Sequence, residues 1–374
     1  MINIIEVTSK SDLKKFIQFP NMLHRNNEKF VPMLFENELN TFSPAKNDAF
    51  SYCESHQFLA FKDNKIVGRV ATILNYRYNY EKKVKQLRFS RFDVIDDLDV
   101  TKALMERVKE EAIKNDLDEI IGPMGFCDLD QHGMYESGFE FLGDYHSSFN
   151  VKYYNDHLKN LGFIKDFEWS IYRIGVLSQN AIFQDQISEF LLKKYDLKIK
   201  DLNKANNLNK YLYNAYQLRT KVIGHIYGYN QLTEKQIKYQ IEANNIAINL
   251  QYSSIIIDSN DEVVAFCFAA PSIDSALKKK KGKLNIFDKI KIKKEKYNNE
   301  TVYIYSLIVH HKYQNIGLEQ VLLNLIINKA VGKNVKYLET CYDLEHNDKI
   351  IRNNRDLNRE IIKTRCIYKL NVNK

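Results

Sequence analysis

Hydrophobic and polar positions alternate with two different periods along this chain, and the switches between them mark its elements. Residues 3–7 predict a strand and residues 11–25 a helix. β-rich runs at 58–61 and 65–71 flank Lys62-Asp63-Asn64-Lys65, a hairpin signal. Residues 87–95 predict another strand. The helix after it repeats apolar positions at Val100, Ala103, Leu104, Val108 and Ala112, with Asp97 and Asp99 near its positive N-terminal end. Residues 119–123 read as a strand, and 152–161 as a helix stopped by Gly162.

After residues 169–176 a second series of the same kind begins. It predicts a strand at 195–202 and helices at 208–222 and 234–244, the latter opened by the capping box Thr233-Glu234-Lys235-Gln236. A second hairpin joins 254–258 to 263–270 through Ser259-Asn260-Asp261-Glu262. A strand at 303–309 precedes a helix from Gly317 to Val331, and strands at 337–342 and 360–370 close the series around a short helix near Asn347. The repeated order predicts an internal duplication. The expected architecture is α/β (α+β) in two domains, 1–174 and 175–374, each a mixed, mostly antiparallel twisted sheet flanked by helices.

Composition narrows the class. With 374 residues, 44% of them hydrophobic, and only 13 Gly and 5 Pro, the chain can bury two cores. Its five cysteines form no CxxC pair, so the expectation is reduced thiols and no metal site. The N-terminus lacks the basic flank and long apolar stretch of a signal peptide, and no run is long enough for a transmembrane helix. The reading is a soluble cytoplasmic protein. The net charge of +8 is local: residues 278–296 carry ten lysines against Asp288 and Glu295. The remainder is balanced, which argues against a general nucleic-acid surface.

The sharpest chemical feature is the passage from strand to helix at Ser306-Leu307-Ile308-Val309-His310-His311-Lys312-Tyr313-Gln314-Asn315-Ile316-Gly317-Leu318-Glu319. A helix start presents unpaired N–H groups and a positive dipole end, which suit a pyrophosphate, and Gly317 permits close backbone approach. Gln314 and Gly317 resemble the GNAT acyl-CoA motif of Gln or Arg, two residues, Gly, one residue, then Gly or Ala. Glu319 departs from it, placing a carboxylate where that pattern has a small neutral residue. The matching place in the first half, Phe92-Asp93-Val94-Ile95-Asp96-Asp97-Leu98-Asp99, has no glycine and four acids. It predicts a first domain without a CoA phosphate loop, which would act as a partner that helps shape an acceptor pocket.

The resemblance spans nearly the whole chain. Phe30-Val31-Pro32, Pro44-Ala45-Lys46-Asn47, Phe58-Leu59-Ala60, Val67-Gly68-Arg69-Val70-Ala71, Ile121-Gly122-Pro123, Tyr153-Tyr154, Leu161-Gly162-Phe163, Tyr213-Asn214-Ala215-Tyr216 and Arg365-Cys366-Ile367-Tyr368 carry it. In their order and spacing they resemble bacterial tandem-GNAT proteins, GCN5-related N-acetyltransferase-like chains of the acyl-CoA N-acyltransferase fold. The resemblance implies two tandem GNAT-like domains and acetyl-CoA or a longer acyl-CoA as cofactor. It implies a cofactor site of Leu307, Ile308, Val309, Gln314, Asn315, Ile316, Gly317, Leu318 and Asn347. GNAT chemistry needs a base, a polarised thioester carbonyl and an acid for the leaving thiolate. The usual helix Tyr is missing after Asn347, so Tyr342 or Tyr368 would stand in as acid. Glu339 is the candidate base, with His310 and His346 as alternatives, and each of the three also reads as an ordinary polar residue.

Tyr303 and Tyr305 alternate with Ile304 and face one side of their strand, as acceptor-cleft residues or as a packed aromatic face. Tyr216 is a further acceptor candidate, together with Tyr213, Tyr227, Tyr229, His225 and Arg219. The expected activity is an acyl-CoA-dependent N-acyltransferase acting on a small-molecule amine. The alternatives are a non-catalytic GNAT-fold binding protein and an aminoacyl-tRNA-dependent transferase. The lysine-rich segment reads as a solvated connection whose Leu284, Ile286, Phe287, Ile290 and Ile292 pack as a helix. Its alternative is a basic amphipathic element making weak contact with anionic lipid or guiding a phosphate-bearing ligand.

Overall fold

A computed structural model describes residues 1–176, 181–224, 226–243, 248–288, 290, 300–340 and 358–372. The chain forms two compact units. One comprises Met1–Trp169, Ile273–Asp288 and Ile362–Lys374; the other comprises Ser170–Ser272 and Lys289–Ile361. Each is therefore assembled from separated stretches of sequence.

In the first unit the sheet runs β1 (Ile2–Glu6), β2 (Cys53–Lys62), β3 (Lys65–Asn75), β4 (Gln86–Val94), β5 (Glu119–Gly122) and β13 (Arg359–Asn371), with β6 (Met134–Ser137) also paired to β13. Its neighbours are antiparallel except β4 and β5, which run parallel from Gln86↔Glu119 to Arg88↔Ile121. The β2–β3 turn is the one the sequence announces: Asp63 and Asn64 both adopt left-handed φ, 51° and 59°, as a two-residue hairpin loop requires. Along β2, Phe58 and Ala60 enter one core with Phe89, Leu104 and Tyr368, while Leu59 enters another with Phe16, Phe42 and Phe126. That is the period of a strand buried on both faces. Helices α4 (Leu98–Lys114) and α5 (Lys152–Asn160) supply the first core, and α1 (Lys10–Leu23) and α2 (Phe35–Thr41) pack on the second. Short helices α3 (Tyr76–Lys82) and α9 (Asp274–Lys279) complete the unit.

The second unit repeats this order. Its sheet runs β7 (Ile164–Gly175), β12 (Tyr337–Thr340), β11 (Thr301–Val309), β10 (Val263–Pro271), β9 (Ser254–Ile257) and β8 (Lys198–Lys200). Again one pair is parallel, β11 with β12, from Thr301↔Tyr337 to Ile304↔Thr340. Helices α6 (Ala181–Lys194), α7 (Leu208–Ile223), α8 (Glu234–Ala243) and α10 (Leu318–Ala330) flank it. The predicted capping box opens α8: Thr233 N–H donates to Gln236 Oε1 at 2.9 Å, and Gln236 N–H to Thr233 Oγ1 at 3.1 Å. Leu318, Val321, Leu322 and Ile326 bury one face of α10 against Ala265, Cys267 and Ile304.

At the far end of α10, Lys329 donates at 2.7 Å to Ser253 O and to Ser254 Oγ, with no carboxylate paired to it among the described residues. Burial presses its pKa down to about 8 from 10.5. The unfolded chain then binds the extra proton in that interval, so folding stability should rise as pH climbs from about 8 to 10.5. Thermal unfolding across this range should show the rise in the native protein and a flatter profile in Lys329→Met; identical profiles would refute the assignment.

One expectation is corrected. Residues 286–288 and 290 of the lysine-rich segment are helical, but their apolar side chains do not pack: Ile286 and Phe287 are 64% and 77% exposed, and Ile290 is 50% exposed. Packing falls instead to Ile273 and Leu277, at 3% and 0% exposure, on and just before α9. Ile292 lies outside the described residues. Among the described residues no helix is long and apolar enough to cross a membrane.

Candidate functional site

The candidate phosphate loop sits where β11 hands over to α10. Leu307, Ile308 and Val309 are buried at the end of the strand. His310 starts a single 3-10 turn, His311–Tyr313, and its ring nitrogen accepts from Lys312 N–H at 3.2 Å. Gln314 folds its amide back to donate to Val309 O at 3.0 Å, which pins the end of the strand to the loop. Asn315 (φ 63°) and Gly317 (φ 93°) then take left-handed conformations, and Gly317 is the N-cap of α10 with no side-chain cap. A Cβ at Gly317 would lie 3.2 Å from Leu191 Cδ1 of α6 and would strain the backbone as well.

Glu319 decides how this helix start is used. Its carboxylate accepts from the backbone N–H groups of Glu319 itself and of Asn315, and no cation pairs with it among the described residues. Burial pushes its pKa above the usual carboxylate value, with the two N–H bonds opposing. An internal anion thus stands where a phosphate oxygen would be held. Beside the loop, His310, Lys312 and Tyr313 line an open groove of about 430 Å³ together with Lys221, Gln217 and Asn214 of α7 and with Asp258 and Glu262. Burial lowers the His310 pKa, helped by His311, Lys312 and Lys221.

The other sequence candidates fall into several places. Glu339, on β12, is buried and doubly held by Arg173, with Oε1 at 2.9 Å from Nε and 2.8 Å from Nη2. Tyr303 and Tyr305 meet edge to face, 6.3 Å between centroids, on the same side of β11. Tyr216 packs on Phe268 at 5.9 Å, and Tyr213 accepts from Gln217 of its own helix. Arg219 is buried, with its guanidinium 6.0 Å from the Tyr229 ring. Tyr227 is partly buried. Tyr368 belongs to the first unit, where its hydroxyl donates to Glu136 at 2.8 Å and accepts from Asn155 at 3.2 Å, its pKa driven up by burial. Tyr342, Asn347, His346 and His225 lie outside the described residues.

The architecture now meets known structures. A tandem GNAT protein from the clavulanic acid biosynthesis pathway superposes with a TM-score of 0.58 and 10% identity, covering 100% of this chain and 99% of that one. The chain has the tandem GNAT fold. A GCN5-related N-acetyltransferase from Anabaena variabilis ATCC 29413 is similar (TM-score 0.54, 9% identity, 100% of this chain and 73% of that one). So is the glucosamine N-acetyltransferase region of a fungal multi-domain GH3 β-N-acetylglucosaminidase (TM-score 0.55, 11% identity, 99% and 38%). At such identities the likeness is one of fold. In sequence, the chain is 27% identical to Protein YghO of Escherichia coli strain K12 over 186 residues, 48% of this chain and 47% of that protein. The chain thus spans about half the length of the curated relative it matches. No protein-family model matches it.

The first GNAT unit treats the corresponding place differently. Asp97 caps α4, accepting from Asp99 N–H at 3.0 Å and Val100 N–H at 3.4 Å, and it binds Lys62 at 2.7 Å. At the end of β4, Val94 N–H donates to the Tyr154 hydroxyl at 3.2 Å and Val94 O accepts from Tyr153 at 2.7 Å. Where β5 stops at Gly122 and β4 continues, a small cavity of about 40 Å³ opens, lined by Arg69, Arg91 and Asp93 among Ile17, Phe30 and Phe149. Arg69 donates to Asp93 at 2.7 Å. Burial alone would raise the Asp93 pKa, but Arg69 and His24 hold it below its ordinary value. Arg91 binds both Glu38 (2.9 Å) and Asp130 (2.6 Å).

A further polar cluster surrounds Arg365, whose Nη2 donates to Gly133 O and Ser148 O, each at 2.7 Å, beneath Tyr135. Near it, burial presses the His146 pKa to about 4 against the pull of Asp144. Sequence reading missed these residues. The available signal was a charged residue on the buried face of an apolar strand, as in Arg69, Arg91, Asp93 and Arg365.

Proposed function

We propose that this protein is an acyl-CoA-dependent N-acyltransferase, with its acyl-CoA at the start of α10 and a small amine as acceptor. The observation that carries the reading is the loop from Gln314 to Leu318, whose left-handed Asn315 and Gly317 turn backbone N–H groups of a 13-residue helix toward an anion. The Glu319 carboxylate supplies the fit test, because N–H groups that accept one oxyanion accept another. Gln314, Asn315, Ile316, Gly317 and Leu318 would cradle the pyrophosphate, Lys221 and Lys312 would add the cations, and the end of β11 from Leu307 to Val309 would align the pantetheine arm. When bound, acyl-CoA supplies a thioester: the amine nitrogen bonds to its carbonyl carbon, the C–S bond breaks, and the amine proton ends on the thiol. Tyr303, Tyr305 and Tyr216 would shape the acceptor side. Glu339, paired with Arg173, ties β12 to β7. In the first unit, Asp97 and the two tyrosines occupy the groups that an acyl-CoA would need, so we assign it a supporting role.

A second reading, ligand binding without catalysis, is favoured by one observation, the occupation of the loop by Glu319. The two separate in one experiment. Thermal unfolding with acetyl-CoA and longer acyl-CoAs should show a Tm that rises with ligand concentration, corresponding to about 2.7 kcal/mol of stabilisation at a hundredfold excess over Kd. Gly317→Trp should abolish it. Thiol release that depends on an added amine then marks catalysis, and binding without such release marks the second reading. No stabilisation by any acyl-CoA would overturn the acyltransferase reading and favour a binding protein for another ligand.

A further inference from the structure

We propose that residues 273–288, the first part of the lysine-rich insertion between β10 and β11, form a docking surface for an anionic lipid membrane. The insertion is held on fixed support within the first unit. Leu277 and Ile273 are buried, Phe35 N–H donates to Gly282 O at 3.0 Å, and Lys278 donates to Glu28 O. Gly282 takes φ 73°, and a Cβ there would meet Met33 O at 2.1 Å, so the turn lies directly on the 32–35 backbone. This is an anchored platform.

What the platform shows to solvent is one-sided. Within residues 273–288 both acids are turned inward: Asp274, 1% exposed, accepts from Tyr145 N–H, and Asp288, 8% exposed, pairs with Lys280 at 2.6 Å. Lys278, Lys279, Lys281 and Lys283 are exposed, so the outward charge is basic. Asn285 and Asp288 exchange hydrogen bonds, Asn285 N–H to Asp288 Oδ2 at 3.1 Å and Asp288 N–H to Asn285 Oδ1 at 2.8 Å. That reciprocal cap fixes the next two residues, Ile286 and Phe287, pointing outward at 64% and 77% exposure. Two large exposed apolar side chains in the same short stretch as exposed lysines match a bilayer surface, where the apolar groups enter the acyl boundary and the ammonium groups meet anionic headgroups. A nucleic acid would use the lysines but gives an exposed isoleucine no partner.

The test is co-sedimentation of the full chain with phosphatidylcholine vesicles, with and without about a third phosphatidylglycerol. The expected result is binding confined to the anionic vesicles and weakening with salt. Phe287→Ser, and separately Lys279→Gln with Lys281→Gln, should each lower the partition coefficient roughly ten-fold or more. These side chains are exposed, so the unfolding temperature should stay within about a degree of the parent's and certify the fold. Failure to sediment with anionic vesicles overturns the proposal, as does binding that is indifferent to Phe287→Ser. A structured RNA that binds the parent and Phe287→Ser equally, while vesicles do not, would reassign the surface to nucleic acid.

Discussion

Arg91→Leu is expected to lower the stability of the first unit by about 3–5 kcal/mol, the cost of leaving a buried charge without its partner. Arg91 projects from β4 with a fully buried side chain, and it is the shared partner of Glu38 on α2, 3% exposed, and Asp130, 14% exposed. Burial would depress the guanidinium pKa, but Asp130 and Glu38 overturn that and hold it above its ordinary value. Removing the cation leaves two carboxylates in a low-dielectric site facing one another. Both would have to protonate or drag in water, and either response loosens α2 from the sheet. Adding Glu38→Gln to Arg91→Leu should restore part of the loss, because one of the stranded charges goes with it. Urea unfolding of the two single variants and the pair measures this coupling. A change below about 1 kcal/mol in Arg91→Leu would show that the carboxylates reach other partners and that the pair is ornamental.

Why this ion cluster was invisible in the sequence, while the fold was not, has a physical reason. Local patterns act over one turn or one strand. Asp63-Asn64 tolerates the left-handed hairpin, Thr233 and Gln236 cap one helix, and Val100 to Ala112 trace one helical stripe. Each is settled by neighbours in sequence, so hairpin, strand, helix and strand were legible twice over, while which pair runs parallel came only from the sheet. The pairing of Arg91 with residues 53 and 39 positions away depends on how strands and helices assemble, and no spacing announces it. The same holds for the commitment of Tyr368 to Glu136 and Asn155, 232 and 213 residues away. The turn that opens α10 was legible because Gly317 and the helix start are local. Glu319 was legible as an anomaly, yet the sequence could not show where its side chain goes: it bends back onto Asn315 and its own N–H rather than turning outward or finding a lysine.

That geometry yields the second large expectation: Glu319→Gln should bind acyl-CoA about ten-fold more tightly than the parent, some 1.4 kcal/mol. In the parent, an entering pyrophosphate must displace a carboxylate from the Asn315 N–H and then sit near it, and like charges a few ångströms apart repel strongly in a partly buried site. Glutamine keeps the size and removes the charge. The raised pKa of Glu319 adds a signature in pH. The folded protein holds this proton more tightly than the unfolded chain. The ionised group therefore costs stability at high pH, and that cost is relieved as pH falls through its folded pKa toward 4.5. The same protonation removes the competing charge, so acyl-CoA affinity of the parent should climb as pH falls through this window. Titration of CoA's own phosphates is common to both proteins, so the decisive quantity is the ratio of the two affinities, measured by calorimetry at several pH values. A ratio near ten at neutral pH that shrinks toward one in acid identifies Glu319 as an internal competitor for the phosphate site. A ratio near one throughout would mean that acyl-CoA does not use the start of α10, and the proposed cofactor site would fall with it.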